Sequence, residues 1–254
     1  MYDPSSPLLR PATATGGTPP PDAKARFAED RLLDAVIWCE LRPGATVTEA
    51  DVMERFGLTR AAARAGLTRL GYDGWANPQA RTGWLVLPVT GALIGQVLEA
   101  RRIAEPALAD AALDRAAHEE LAQIAAMLAS LRGRPEAGAL RSARHYIDRV
   151  DGLLLGGIDP FTARHLRKLW HHTARITRFL EDAGDTLFHR DDVAALIRAA
   201  RDGARDGIAA ARAALIDSQE AFFLRQLLRS DAPLTPGSGV LGREKNAAVH
   251  RREI

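Results

Sequence analysis

Residues Phe56-Gly57-Leu58-Thr59-Arg60-Ala61-Ala62-Ala63-Arg64-Ala65-Gly66-Leu67-Thr68-Arg69-Leu70 carry the reading of this chain. Thr59 is an N-cap-type residue, so a helix is expected to start there. Arg60 and Arg64 follow four residues apart and share one face. Ala63, Leu67 and Leu70 make an apolar stripe on the other. The intervening residues are alanines and a glycine, too small to hold either arginine away from an approaching surface. Such a helix can enter a groove and reach base edges. Standing alone, it reads more simply as a core helix with two solvated arginines. Its neighbours change that.

Upstream, Phe27, Leu32, Leu33, Val36 and Ile37 recur at helical spacing from Lys24 onward, and Pro43-Gly44 should stop that helix. Thr48 and Asp51 have the form of a capping box opening a short helix to Phe56. Gly57 suits the left-handed residue that ends it. Helix, glycine turn, helix is a helix-turn-helix arrangement. Downstream, within Gly71–Trp75 and Ala76–Pro88, two short β-prone runs flank a turn-rich, arginine-bearing tip. This predicts a β-hairpin, the one convincing strand region of the chain. A small hairpin after a helix-turn-helix is a wing.

These stretches resemble the winged helix-turn-helix of the GntR family of bacterial transcription regulators. The resemblance runs through Leu41-Arg42-Pro43-Gly44, Thr48-Glu49, the Phe56–Leu70 stretch, Asp73-Gly74 and Arg81-Thr82-Gly83-Trp84. Arg60 and Arg64 match the two base-reading arginines of that family, Thr59 stands where it usually has Ser, and Gly83 matches the glycine at its wing tip. Ala61-Ala62 and Ala65-Gly66 depart from its pattern and leave the exact operator preference open. Glu99-Ala-Arg-Arg-Ile-Ala-Glu-Pro-Ala107 resembles the segment that opens the all-helical effector domain of the FadR-type branch.

The resemblance implies a double-stranded, near-palindromic DNA operator read by a homodimer. Arginine bonds guanine O6 and N7 with two donors at once, a discrimination of about 1–3 kcal/mol per good pair. Arg60 and Arg64 are the candidates for that contact. Thr59 can donate to phosphate at the helix N-terminus, and Arg42, Arg69 and Arg81 are candidates for phosphate or wing contacts. In similar effector domains the arginine of the opening segment, here Arg101, faces a pocket for a small carboxylate. A salt bridge to Glu105, four residues on, is an equal reading. His172 is a second candidate for lining that pocket. His171 and His172 point about a hundred degrees apart and cannot both serve. Similar domains often hold a divalent metal through an aspartate and three histidines. Here the expected histidines are missing, and Asp148, His189 and Asp217 are the nearest oxygen-rich substitute. The alternative pairs Asp148 and Asp217 with arginines across the bundle.

The chain has 254 residues, 46% of them hydrophobic and 26% charged, with a formal net charge of +2. That is enough for one large domain or two ordinary ones, and the charge alone does not announce nucleic acid. The single Cys39 excludes an internal disulfide and a multi-cysteine zinc site, and its apolar surroundings suggest burial. No apolar stretch is long enough to span a bilayer, and no signal-peptide pattern opens the sequence, so a cytoplasmic protein is expected. The fold class expected is mainly α. It comprises an arm at 1–23 rich in Pro and Gly, a winged helix-turn-helix at 24–88, an antiparallel all-helical effector and dimerisation domain at 89–230, and a flexible tail at 231–254. Within the helical part, Thr90 caps a helix kinked at Pro106. Further helices follow near 118–131, 136–155, 160–183 and 190–229, the last breaking near Gly203 or Gly207. No G-x-S-x-G, H-E-x-x-H or phosphate-binding glycine loop is present, so an enzyme is not expected. The reading is a regulator, more specifically a repressor, that senses a small organic acid. The alternatives are a regulator with a degenerate, non-sensing dimerisation domain, and a helical metal-dependent enzyme or metabolite-binding protein.

Overall fold

The computed structural model describes residues 21–229 apart from 135, 185, 186, 191 and 192. The chain divides into two compact units. One is Ala45–Leu87 together with the described chain up to Ala35; the other is Val36–Gly44 together with the chain from Pro88 onward.

The first unit contains α1 (Pro21–Ile37) except its last two residues, β1 (Thr46–Val47), α2 (Glu49–Phe56), α3 (Arg60–Tyr72), β2 (Ala76–Gln79) and β3 (Gly83–Val86). Both bonds of the capping box form: Thr48 N–H donates to Asp51 Oδ2 at 2.8 Å, and Asp51 N–H donates to Thr48 Oγ1 at 3.2 Å. Gly57 ends α2 at φ 64°, a conformation glycine adopts without a Cβ penalty. Thr59 then caps α3 by accepting from Ala62 N–H at 3.3 Å. Ala63, Leu67 and Leu70 of α3 are buried with Leu32 of α1 and Val52 of α2. Gly66 allows α1 and α3 to close on one another, since a Cβ there would lie 2.7 Å from Leu32 Cδ1.

The wing is a three-stranded antiparallel sheet in the order β1-β3-β2, not the two-stranded hairpin expected. The third strand is Thr46–Val47, two residues too short to show alternation. It pairs Thr46 with Leu85 and Val47 with Trp84, while β2 pairs Ala76 with Val86 and Gln79 with Gly83. Pro78 is tolerated because β2 is an edge strand.

The second unit is helical: α4 (Gly91–Ala104), a 3-10 helix (Glu105–Asp110), α5 (Arg115–Leu131), α6 (Ala137–Gly156), α7 (Pro160–Gly184), α8 (Val193–Arg201) and α9 (Arg205–Arg229). Thr90 caps α4, accepting from Leu93 N–H at 3.1 Å. One apolar cluster includes Leu121, Val150, Leu154, Leu166 and Leu196; another includes Val97, Leu98, Ile176, Leu180, Phe222 and Phe223. No helix among the described residues is long and apolar enough to cross a membrane.

Several boundaries differ from the sequence reading. Helix α1 begins at Pro21, where proline's missing N–H is harmless at a first helical position; the rest of the expected arm, and the expected tail, lie outside the described residues. Phe27 is exposed rather than part of the stripe. Pro106 does not kink one long helix: α4 stops and the tighter 3-10 helix takes over at Glu105. The final helical stretch breaks at Gly203, at φ 63°, while Gly207 lies inside α9 against Ala199. Cys39 is half-buried and sits in the second unit, its thiol donating to Arg175 O at 3.6 Å. Nearby, the Arg178 guanidinium stacks 4.3 Å over the Trp38 ring. These contacts tie residues 36–44 to α7, which the sequence placed with the winged helix.

Candidate nucleic-acid interface and the polar core of the helical unit

At the N-terminal end of α3, a shallow cleft is lined by Thr48, Glu49 and Met53 of the α2 region, by Arg60, and by Arg81, Thr82, Gly83 and Trp84 of the wing. The geometry follows from small residues. Gly71 lets the Trp84 ring lie on α3, because a Cβ at 71 would sit 2.6 Å from Trp84 Cζ3. Gly83, at φ 111°, lets β3 approach β1, because a Cβ there would sit 2.4 Å from Val47 O. Its structural role is this close approach. Arg81 occupies the tip in a left-handed conformation at φ 69° and is exposed.

Thr59, Arg60 and Arg64 are all exposed. The Thr59 hydroxyl oxygen is engaged in its cap, which leaves the hydroxyl hydrogen to donate outward. Arg64 is not a free side chain. Its Nε donates to Glu49 Oε1 at 2.8 Å and its Nη2 to Glu49 Oε2 at 3.3 Å. Sequence reasoning missed Glu49, since nothing in local spacing links two residues on different helices. The pair holds the Glu49 carboxyl below the usual carboxylate range: the hydrogen bond from Arg64 is the main cause, helped by the charges of Arg64 and Arg60.

The other two arginine candidates, Arg69 and Arg42, are not among the residues lining this cleft. Arg69 donates to Asp73 at 2.9 Å, one turn on, at the opposite end of α3 from the cleft. Arg42 belongs to the second compact unit with residues 36–44, not to the winged helix.

In the second unit the polar residues gather in a buried ionic network. Arg101 is 1% exposed. It donates to Glu105, to Gln219 and, at 3.3 Å, to Thr173 Oγ1. Glu105, also 1% exposed, accepts in addition from Arg212 Nε at 2.7 Å and Trp170 Nε1 at 2.9 Å. Arg212 continues the chain to Asp151 Oδ1 at 2.7 Å, and Arg190 meets Asp151 Oδ2 at 2.7 Å. Burial alone would raise the Glu105 carboxyl, but Arg212 and Arg101 outweigh it and hold it below the usual range. The same balance, with Arg190 and Arg212 against burial, lowers Asp151.

Of the two readings of Arg101, the salt bridge to Glu105 is present. Arg101 faces the protein's own Glu105 rather than an open pocket. Its partner from α7 is Thr173, not His172, which follows from the angular offset of adjacent helical residues. Burial, with Arg175 and Lys168 nearby, lowers His172 to about 4 and keeps the imidazole neutral near pH 7. Asp148, His189 and Asp217 do not converge: among the described residues no three His, Cys, Asp or Glu side chains are placed to hold a metal. Asp217 pairs with Arg102 at 3.2 Å on the surface, and His189 is exposed. Asp151, not Asp148, is the residue that pairs with buried arginine. Loss of water around Asp148 and the adjacent Asp151 charge raise its carboxyl to about 6.

No family model and no curated protein matches the sequence. Solved structures do match. The E. coli protein McbR/YncC superposes with a TM-score of 0.62 at 18% identity, covering 80% of this chain and 98% of that one. A protein from Rhodococcus sp. RHA1, named as a transcriptional regulator GntR, superposes with a TM-score of 0.60 at 19% identity over 80% and 98%. The chain shares the fold of these two structures over 80% of its length.

Proposed function

We propose that this protein is a sequence-specific DNA-binding transcriptional regulator of the GntR family, acting as a repressor. The observation that carries the reading is the N-terminal end of α3, where Thr59, Arg60 and Arg64 are exposed beside a wing that carries Arg81. Arg60 and Arg64 read base edges in the major groove, while Thr59 and Arg81 contact the backbone. Two winged helices in a symmetric homodimer read a near-palindromic operator of two half-sites.

The test uses the full-length protein in a selection from random DNA duplexes. A near-palindromic sequence is expected to enrich, and Arg60→Ala and Arg64→Ala are expected to lose preference for it while far-UV circular dichroism stays unchanged. No enrichment by the wild type refutes the reading.

For the helical unit the same reading gives dimerisation and response to a small organic acid. The acid would displace Glu105 from Arg101 and Arg212 and bias one of two domain arrangements. One observation favours a second reading, in which the unit dimerises without sensing: Glu105 already supplies the carboxylate that such a ligand would bring. A panel of small carboxylates distinguishes the two. A rise in thermal midpoint together with a change in operator affinity supports sensing; no change in either supports the non-sensing form.

A further inference from the structure

The bidentate contact between α2 and α3 has a place in reading DNA. We propose that Glu49 is a positioning residue for recognition: it clamps Arg64 so that a single edge of the guanidinium faces the base, trading non-specific affinity for discrimination. This rests on the DNA-binding reading given above.

The argument starts from the donors of arginine. A guanidinium has five N–H groups in a planar fork. The Nε and Nη2 edge of Arg64 is taken by the two oxygens of Glu49. The remaining edge, Nη1 with the second hydrogen of Nη2, is the one left to donate to a pair of acceptors such as guanine O6 and N7. Arg64 is attached to a turn of small residues, Ala61, Ala62, Ala63 and Ala65, none large enough to wall in its long side chain. Its side chain is 68% exposed, against 30% for Glu49. Without the clamp, Arg64 would retain its rotamer freedom and could reach phosphates as readily as bases.

Glu49 also lines the cleft that holds Arg60 and Arg81. A carboxylate there opposes the approach of phosphates and cancels one positive charge of the surface. A residue serving only overall affinity would not be acidic at this place. Its position in the first turn of α2 gives it favourable interaction with the helix dipole. That explains its stability in the fold but not its two-point contact with a helix fifteen residues away.

The experiment measures binding of the full-length protein to duplexes selected by the wild type, to single-base-pair variants of them, and to an unrelated duplex, over a range of salt. The base pair read by Arg64 is the one at which Arg64→Ala loses preference. Glu49→Gln keeps shape but offers one acceptor oxygen in place of two. It is expected to lower discrimination at that base pair by about fivefold or more. It should also tighten binding to the unrelated duplex and steepen the log–log salt dependence by about one unit. Glu49→Asp retains the charge but is shorter, so it is expected to lose discrimination without steepening the salt dependence. In an Arg64→Ala background, Glu49→Gln should leave discrimination unchanged. A purely structural role would shift the thermal midpoint and leave these ratios alone. If Glu49→Gln keeps the wild-type preference at that base pair while tightening all binding, Glu49 is only a competitor for Arg64, and the inference is overturned. If the wild type selects no sequence at all, the DNA-binding reading falls, and this inference falls with it.

Discussion

Replacing Glu105 by alanine should cost the helical unit much of its stability. The side chain is 1% exposed and accepts from Arg101, Arg212 and the Trp170 indole. Truncation leaves two guanidinium groups, 1% and 2% exposed, facing a void. Breaking a buried ion pair by removing one partner costs about 3–5 kcal/mol, because the remaining charge stays buried and unpaired. Here Asp151 still partners Arg212, and Gln219 still partners Arg101, so the lower part of that range is the better expectation. For a unit of this size, with about 2–4 °C per kcal/mol, the thermal midpoint should fall by about 6–15 °C. Glu105→Gln retains volume and one acceptor oxygen and should lose less. The assay is thermal and urea unfolding followed by circular dichroism. A second arm adds acetate or formate to Glu105→Ala, which should recover part of the loss by placing a small carboxylate between the arginines. A loss below about 1 kcal/mol, or equal stability of the alanine and wild-type proteins, would refute the view of Glu105 as the hub of the network. Acid should weaken the same hub. The carboxyls of Glu105 and Asp151 lie below the usual range in the folded protein. Their contribution is therefore present above the ordinary carboxylate pKa and is lost as the pH falls through the lowered folded values.

Other outcomes follow from single positions. Gly83→Ala should destabilise the winged helix and weaken DNA binding with it, since the added Cβ meets Val47 O at 2.4 Å in a left-handed backbone; thermal unfolding with DNA titration checks this. His171 and His172 are both lowered to about 4, chiefly by burial, from an ordinary 6.5. The unfolded chain takes up protons on them below about 6.5 while the folded chain does not until near 4, so stability should fall across that window as the pH drops. NMR titration of the two imidazoles checks it; midpoints near 6.5 would contradict the burial argument.

Much of the winged helix was legible because its signals are local. The Thr48–Asp51 capping box, the left-handed Gly57, the Thr59 cap and the Ala63–Leu67–Leu70 stripe each depend on residues within about two helical turns of one another. Arg60 and Arg81 came out beside one cleft for the same reason: short, well-marked elements leave the chain few ways to turn. The two-residue strand Thr46–Val47 was not legible, because its only warrant is its pairing with β3. Nor was the attachment of residues 36–44 to the second unit, which rests on contacts with Arg175 and Arg178 far along the chain.

The order of helices, their caps and the small-residue recognition helix are properties of spacing, and spacing is written in the sequence. Side-chain partnership is not. Glu49 and Arg64 lie 15 residues apart, Arg101 and Gln219 lie 118 apart, and neither pairing leaves a periodic trace. A charged side chain has many possible partners of opposite sign. Which one it meets, and whether it is buried when it does, is set by how whole helices pack, because burial makes an unpaired charge too costly to leave. That is why the arginine at 101 could be read equally as a ligand fork or a salt bridge, and why its pairing with Glu105 became visible only in the packed helices.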